Sequence, residues 1–206
     1  MPARNIYKIY TVDTYYHIYN RGVNKEPVFR DDQDYAVFLQ LLKRYLDPSA
    51  RTERQGNGAL YPCYDDELNL VAYCLMRNHF HLFIYQYSDT GMKKLMRSLT
   101  VAYSMYFNKK YKRVGPVFQQ RYRAVRIDDD AQLLHITRYI HLNPKHYASY
   151  KWSSYLNYAG ERYQRWLKPH RILELFSYNP RKYVEFVDDF KDKHDELELL
   201  KEELAG

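Results

Sequence analysis

From Leu68 to Gln86 the chain is apolar or strand-forming at nearly every position, with one polar break at Arg77-Asn78. Two such runs, Leu68–Met76 and His79–Gln86, joined by so short a connection, point to a β-hairpin. The first run is mostly apolar and reads as a buried strand. The second begins His79-Phe80-His81. Successive side chains on a strand point to opposite faces, so both imidazoles project from one face and Phe80 from the other. Cα atoms about 6–7 Å apart allow two ring nitrogens to converge on one metal ion.

The rest of the chain supplies elements to pack around this hairpin. Tyr15–Gly22 reads as a strand ending in a glycine turn. Asp32–Leu46 carries Tyr35, Phe38, Leu39, Leu42 and Tyr45 at helical spacing, with Asp31 or Asp32 as the cap. Pro48–Gly58 has the composition of a loop. Gly91–Tyr111 reads as a long amphipathic helix with Lys93, Lys94, Arg97, Lys109 and Lys110 on its polar face. Val117–Ile127 alternates as a strand bearing Arg121, Arg123 and Arg126. Asp128–Asp130 would cap a helix from Ala131 to about Leu142, and Pro144 disfavours a helical conformation at Asn143, where that helix frays. The order β-α-β-β-α-β-α predicts an α+β fold, an antiparallel sheet with helices packed on it. Further on, Lys151–Tyr155 reads as a docked irregular segment. Tyr183, Phe186, Val187 and Phe190 are apolar-periodic, and the tail from Lys191 is densely charged and helix-prone. The expected division is a domain over 1–158 and a mostly helical extension over 159–206.

At 206 residues the chain can bury about 70% of its unfolded surface and needs no staples to fold. Cys63 and Cys74 match neither a zinc spacing nor a secreted disulfide framework, so a reducing cytoplasm is expected. No apolar signal core or membrane-span-length run occurs in the sequence. The net charge of +7 and pI of about 9.1 favour a polyanionic partner. Tyrosine, with 24 copies against 9 phenylalanines, offers ring faces to bases and hydroxyls to phosphates, although most copies are expected at half-buried positions.

Arg138-Tyr139-Ile140-His141-Leu142-Asn143-Pro144 adds chemistry to the histidine pair. Residues i and i+4 share a helix face, so Tyr139 and Asn143 look the same way. An ion held by His79, His81 and Asn143 would have two nitrogens, one amide oxygen and open positions, which suits catalysis. With a phosphate substrate, that mixture favours Mn²⁺ or Mg²⁺. A phenol with an ordinary pKa near 10 needs help to attack, and a neighbouring metal-bound phosphate would supply it. His135 is one turn before Tyr139 on the same face; it, His17 and His141 read as satisfied surface histidines.

These residues resemble a known family. His79-Phe80-His81 is similar to the His-hydrophobe-His motif of the HUH single-stranded-DNA endonucleases. Tyr139-Ile140-His141-Leu142-Asn143-Pro144 resembles the nucleophile segment of the single-tyrosine transposases in that superfamily. Tyr16–Gly22, Pro116–Tyr122 and Trp152-Ser153-Ser154-Tyr155 look most like the branch of REP-associated tyrosine transposases, over roughly residues 14 to 158. The resemblance implies a ferredoxin-like α+β fold, a divalent metal ion (Mg²⁺ or Mn²⁺) and a 5′-phosphotyrosine intermediate on single-stranded or hairpin DNA. It gives Tyr139 the nucleophile role and His79, His81 and Asn143 the metal-ligand role, and it favours a monomer over a homodimer. Arg121, Arg123 and Arg126 are candidate phosphate contacts or a solvated strand face; Asn20 and Arg21 are candidates for DNA contact or a structural part of the turn. The rival reading is a non-catalytic protein that grips DNA or RNA hairpins.

Overall fold

The computed structural model describes residues 10–191. A four-stranded sheet is built from β1 (Thr14–Arg21), β2 (Leu68–Met76), β3 (His79–Gln86) and β4 (Arg123–Ile127), in the order β2-β3-β1-β4. Every pairing is antiparallel. The hairpin expected from the sequence is β2–β3, turning at Arg77-Asn78. Helix α1 (Asp32–Leu46) connects β1 to β2, and α2 (Gly91–Tyr111) connects β3 to β4, which is the ferredoxin-like topology.

Both helices cover one face. Phe38, Leu42, Leu95, Leu99 and Tyr103 pack there on Tyr16, Ile18, Phe80, Leu82 and Ile84, all buried. Asp31 caps α1, as its composition implies, by accepting from Asp34 N–H at 3.1 Å. A buried carboxylate then ties the two helices together. Asp34 accepts from Lys110 Nζ, Tyr106 OH and Tyr111 OH, each at 2.8 Å, and from Arg30 N–H at 2.8 Å.

The opposite face is covered by α3 (Asp130–Leu142) and by short helices α4 (Tyr155–Tyr158), α5 (His170–Leu173) and α6 (Pro180–Asp188). Ile136 and Ile140 of α3 share a cluster with Cys74, Phe83, Tyr158, Ile172, Tyr183 and Val187. Two further devices join the segment beyond Tyr147 to the sheet. The expected irregular piece at Trp152–Ser154 docks along β2, with Leu75 N–H to Trp152 O at 3.0 Å and Ser154 N–H to Tyr73 O at 2.9 Å. It blunts an edge that would otherwise offer a row of unpaired backbone groups. A bulge between Leu70 and Ala72 frees the Val71 carbonyl, which accepts from Tyr158 OH at 3.0 Å.

Three local expectations need correction. The last strand is Arg123–Ile127 rather than Val117–Ile127. Asn20 Nδ2 donates to Gln120 O at 3.0 Å, so that carbonyl is taken by a side chain instead of a continuing ladder. Pro48–Gly58 is not featureless: Pro48–Thr52 is a 3₁₀ turn started by Asp47, and Arg54 bridges to Leu60. Finally, α3 ends at Leu142 as expected, but its C-cap Asn143 does not take up a non-helical conformation. It keeps φ −55° and ψ −46°, and its Nδ2 donates to Tyr139 O at 3.1 Å, which offsets the crowding from Pro144. Among the described residues no helix is long and apolar enough to cross a membrane. The charged tail expected to be helical lies almost wholly outside the described residues.

Candidate active site

Strand register decides which side chains meet on the α3 face. His81 sits opposite Tyr19 and His79 opposite Arg21 on β1, while Tyr19 is also opposite Arg123 on β4. Paired residues share a face, so His79, His81, Tyr19, Arg21 and Arg123 all project toward the α3 side. Phe80 goes the other way and packs edge-on against Phe118 with ring centroids 5.6 Å apart.

The two histidines stand with ring centroids 5.0 Å apart at 88°. Helix α3 lays Tyr139 over His81 and His17: its ring is edge-on to His81 at 5.4 Å and to His17 at 6.1 Å. The tyrosine and one histidine of the pair therefore meet within one chain. Asn143 follows one turn later, with its amide nitrogen committed to the Tyr139 carbonyl. Its Oδ1 is thus the atom with ligand character.

Each histidine has an oriented Nδ1. Asn78 Oδ1 lies 2.7 Å from His79 Nδ1, and Asn78 Nδ2 donates to Lys25 O at 3.1 Å. The second bond fixes which end of the amide faces His79, so His79 donates its Nδ1–H. For His81 the neighbour is His17, whose Nε2 is 2.9 Å from His81 Nδ1, with the rings stacked at 5.1 Å and 13°. Burial pushes the His17 imidazole down to about 3, so it is neutral across the working range. Coordination by either ligand would use Nε2. That donor set, two imidazole nitrogens and an amide oxygen, fits a divalent ion that also takes phosphate oxygens. Among the described residues no group of three or more His, Cys, Asp and Glu could hold a metal ion.

His17 is the residue that sequence reasoning missed. A signal was present, because His17, Tyr19 and Arg21 alternate down β1 as His79 and His81 do down β3. The partnership itself depends on register. His141, also expected to be a satisfied surface histidine, is instead a structural residue of the core. It is fully buried, with Nδ1 2.6 Å from Tyr183 OH and Nε2 2.7 Å from Ser154 Oγ. Burial first, then the charge of Arg162, pushes it down to about 3. His135 accepts from Arg138 Nη2 at 2.8 Å, and Arg138 lies over the rings of Phe186 and Phe190.

The candidate phosphate contacts divide. Arg21 and Arg123 flank the histidines, and Arg121 is exposed just before β4. Arg126 falls on the opposite parity, beside Tyr16, and pairs with Asp128. Asn20 points to the α1–α2 side, where it holds Gln120 O and, through Oδ1, the Arg21 N–H at 2.9 Å. Gly22 follows where space is smallest: a Cβ there would stand 2.1 Å from Glu26 O. The far end of the α3 face carries Asp13, Asp128, Asp129 and Asp130 around a depression whose charge repels phosphate.

No curated protein sequence matches the chain. Among solved structures, one described as a REP-associated tyrosine transposase bound to a REP hairpin superimposes with a TM-score of 0.56. The match covers 77% of this chain and 86% of that one at 11% identity, which is a likeness of fold. The family model for IS200-like transposases matches residues 10–143, a span running from β1 through Tyr139 to Asn143. By that match over more than half of its length, the chain belongs to the IS200-like transposase family.

Proposed function

We propose that the protein cleaves and rejoins single-stranded DNA bearing a hairpin, with Tyr139 as nucleophile and His79, His81 and Asn143 holding a divalent ion. The observation that carries this reading is the Tyr139 ring packed against His81, 5.4 Å between centroids, within one chain.

The Tyr139 phenol oxygen attacks the scissile phosphorus, forming a P–O bond as the bond to the 3′ oxygen of the upstream nucleotide breaks. The phenol gives up its proton and the departing oxygen gains one, leaving a 3′ hydroxyl and a 5′-phosphotyrosine. A bound Mg²⁺ or Mn²⁺ supplies polarisation of the phosphate and relief of charge on the leaving oxygen. Because the linkage is still a phosphodiester, attack by another 3′ hydroxyl reverses the step and releases Tyr139 without ATP. Helix α3 positions the phenol, while Arg21 and Arg123 beside the histidines offer phosphate contacts that set register on the strand. The likeness to a transposase–hairpin complex supports a hairpin as the recognised element.

The test is incubation of labelled hairpin-bearing single strands with Mn²⁺ or Mg²⁺, read on a denaturing gel. A metal-dependent covalent adduct that disappears in Tyr139→Phe is the expected result. A library that binds yet yields no cleavage with either metal would leave a grip on hairpins without chemistry.

A further inference from the structure

His17 is almost fully buried, at 1% exposure, on the central strand β1. Its Nδ1 is buried and has no hydrogen-bond partner among the described residues. A buried N–H without a partner costs free energy, so an apolar ring would suit the packing here better than an imidazole. The one polar contact that His17 makes among the described residues explains why an imidazole is kept: Nε2 lies 2.9 Å from Nδ1 of His81. One of these two nitrogens must donate and the other accept.

The neighbouring histidine indicates which. His79 donates its Nδ1–H to Asn78 Oδ1, since Asn78 Nδ2 is occupied with Lys25 O. That leaves the Nε2 lone pair of His79 as its coordinating atom. Two imidazoles can ligate one ion through Nε2 only if His81 adopts the same tautomer and also donates from Nδ1. Metal-ligating histidines commonly donate their second N–H to an outer partner, which fixes ring orientation and raises basicity. The usual acceptors are a carboxylate or a carbonyl; here the position is filled by a second imidazole.

We propose that His17 is a positioning residue: it accepts the Nδ1–H of His81 at Nε2 and so holds His81 with its Nε2 lone pair facing the divalent ion. This rests on the metal role proposed for His79 and His81. Asn78 and His17 then form a matched pair of outer partners, one from the β2–β3 turn and one from β1. A neutral His17 in its Nδ1–H form is what the arrangement requires, and an Nδ1 with no hydrogen-bond partner among the described residues is the cost of supplying that acceptor.

Two variants and one spectrum test it on the full chain. His17→Phe keeps a flat ring but removes the acceptor; His17→Gln returns an acceptor oxygen near the Nε2 position. Loss of the free Mn²⁺ signal in electron paramagnetic resonance reads binding without any turnover. Mn²⁺ affinity should fall about 10–100-fold in His17→Phe, while His17→Gln stays within about threefold of the parent. The melting temperature of metal-free His17→Phe should equal or exceed that of the parent, opposite to what a structural histidine would give. In the metal-free parent, ¹⁵N imidazole spectra should show His81 protonated at Nδ1. An Nε2–H tautomer at His81, or unchanged Mn²⁺ affinity in His17→Phe, overturns the proposal. If His79→Ala binds Mn²⁺ as tightly as the parent, the metal role itself fails and takes this inference with it. Should His17→Phe not fold, the spectrum of the parent still decides.

Discussion

His141 links the tyrosine-bearing helix to the rest of the α3 face, and its replacement by Phe should separate a hydrogen-bond contribution from a pH-dependent one. The substitution keeps a flat ring between Tyr155, Tyr158 and Tyr183 but removes contacts to Tyr183 OH and Ser154 Oγ. Ser154 Oγ still accepts from Tyr73 N–H at 2.9 Å, so it is not left bare. Two neutral hydrogen bonds at about 1 kcal/mol each give a loss of about 2 kcal/mol at pH 7.5. For a chain of this size that lowers Tm by about 4–8 °C. The pH dependence then runs the other way. His141 titrates near 6.5 when unfolded and at about 3 when folded. Below pH 6.5 the unfolded chain therefore binds a proton that the folded chain refuses, and stability falls by about 1.4 kcal/mol per pH unit. By pH 5 the parent has lost about 2 kcal/mol through this group, a loss His141→Phe does not share. The two stability curves, measured by urea unfolding from pH 7.5 to 5, should converge near pH 5. Parallel curves across that range would refute the neutral, doubly bonded His141 on which the reasoning rests.

Asp34→Ala removes a buried carboxylate that collects three side chains and a backbone N–H, and should cost about 2–4 kcal/mol, less than a fully buried pair because Lys110 is partly exposed. Burial raises the Asp34 carboxyl, but hydrogen bonds from Lys110, the Arg30 N–H, Tyr111 and Tyr106 outweigh it and hold the carboxyl below its ordinary value. Its contribution is present above the unfolded value of about 4 and is lost as pH falls through the lower folded value, so acid titration of Tm should show less loss in Asp34→Ala than in the parent. Arg21→Ala and Arg123→Ala should each weaken hairpin binding and reduce the salt slope by about one, whereas Arg126→Ala, already paired to Asp128, should change it less; fluorescence anisotropy against salt reads both. Gly22→Ala forces a Cβ into Glu26 O and should lower Tm while disturbing the turn that carries Asn78 beside His79, seen as weaker Mn²⁺ binding.

Much of the fold was legible because it rests on local periodicity. The hairpin at Leu68–Gln86 and the helices Asp32–Leu46 and Gly91–Tyr111 match their apolar patterns to the residue. What was not legible depends on partners distant in sequence. Val117–Tyr122 alternates like strand, yet Asn20, a hundred positions away, takes the Gln120 carbonyl. Asn143, just past the end of α3, keeps helical dihedrals beside Pro144 while its own side chain bonds the Tyr139 carbonyl. The meeting of His17 with His81 is a matter of register between β1 and β3, which no single segment encodes. The arginines are a different case. Strand parity alone separates Arg123 from Arg126, so their division between faces was readable from the sequence.

The claim that Tyr139 is the nucleophile is tested most directly by mapping the covalent link. After reaction with hairpin-bearing single-stranded DNA and Mn²⁺, nuclease trimming and tryptic digestion should leave a nucleotide joined through its 5′ phosphate to the peptide Tyr139–Lys145, with fragmentation placing the added mass on Tyr139. An adduct on any other tyrosine, or cleaved DNA with no covalent protein species at any time point, would contradict it.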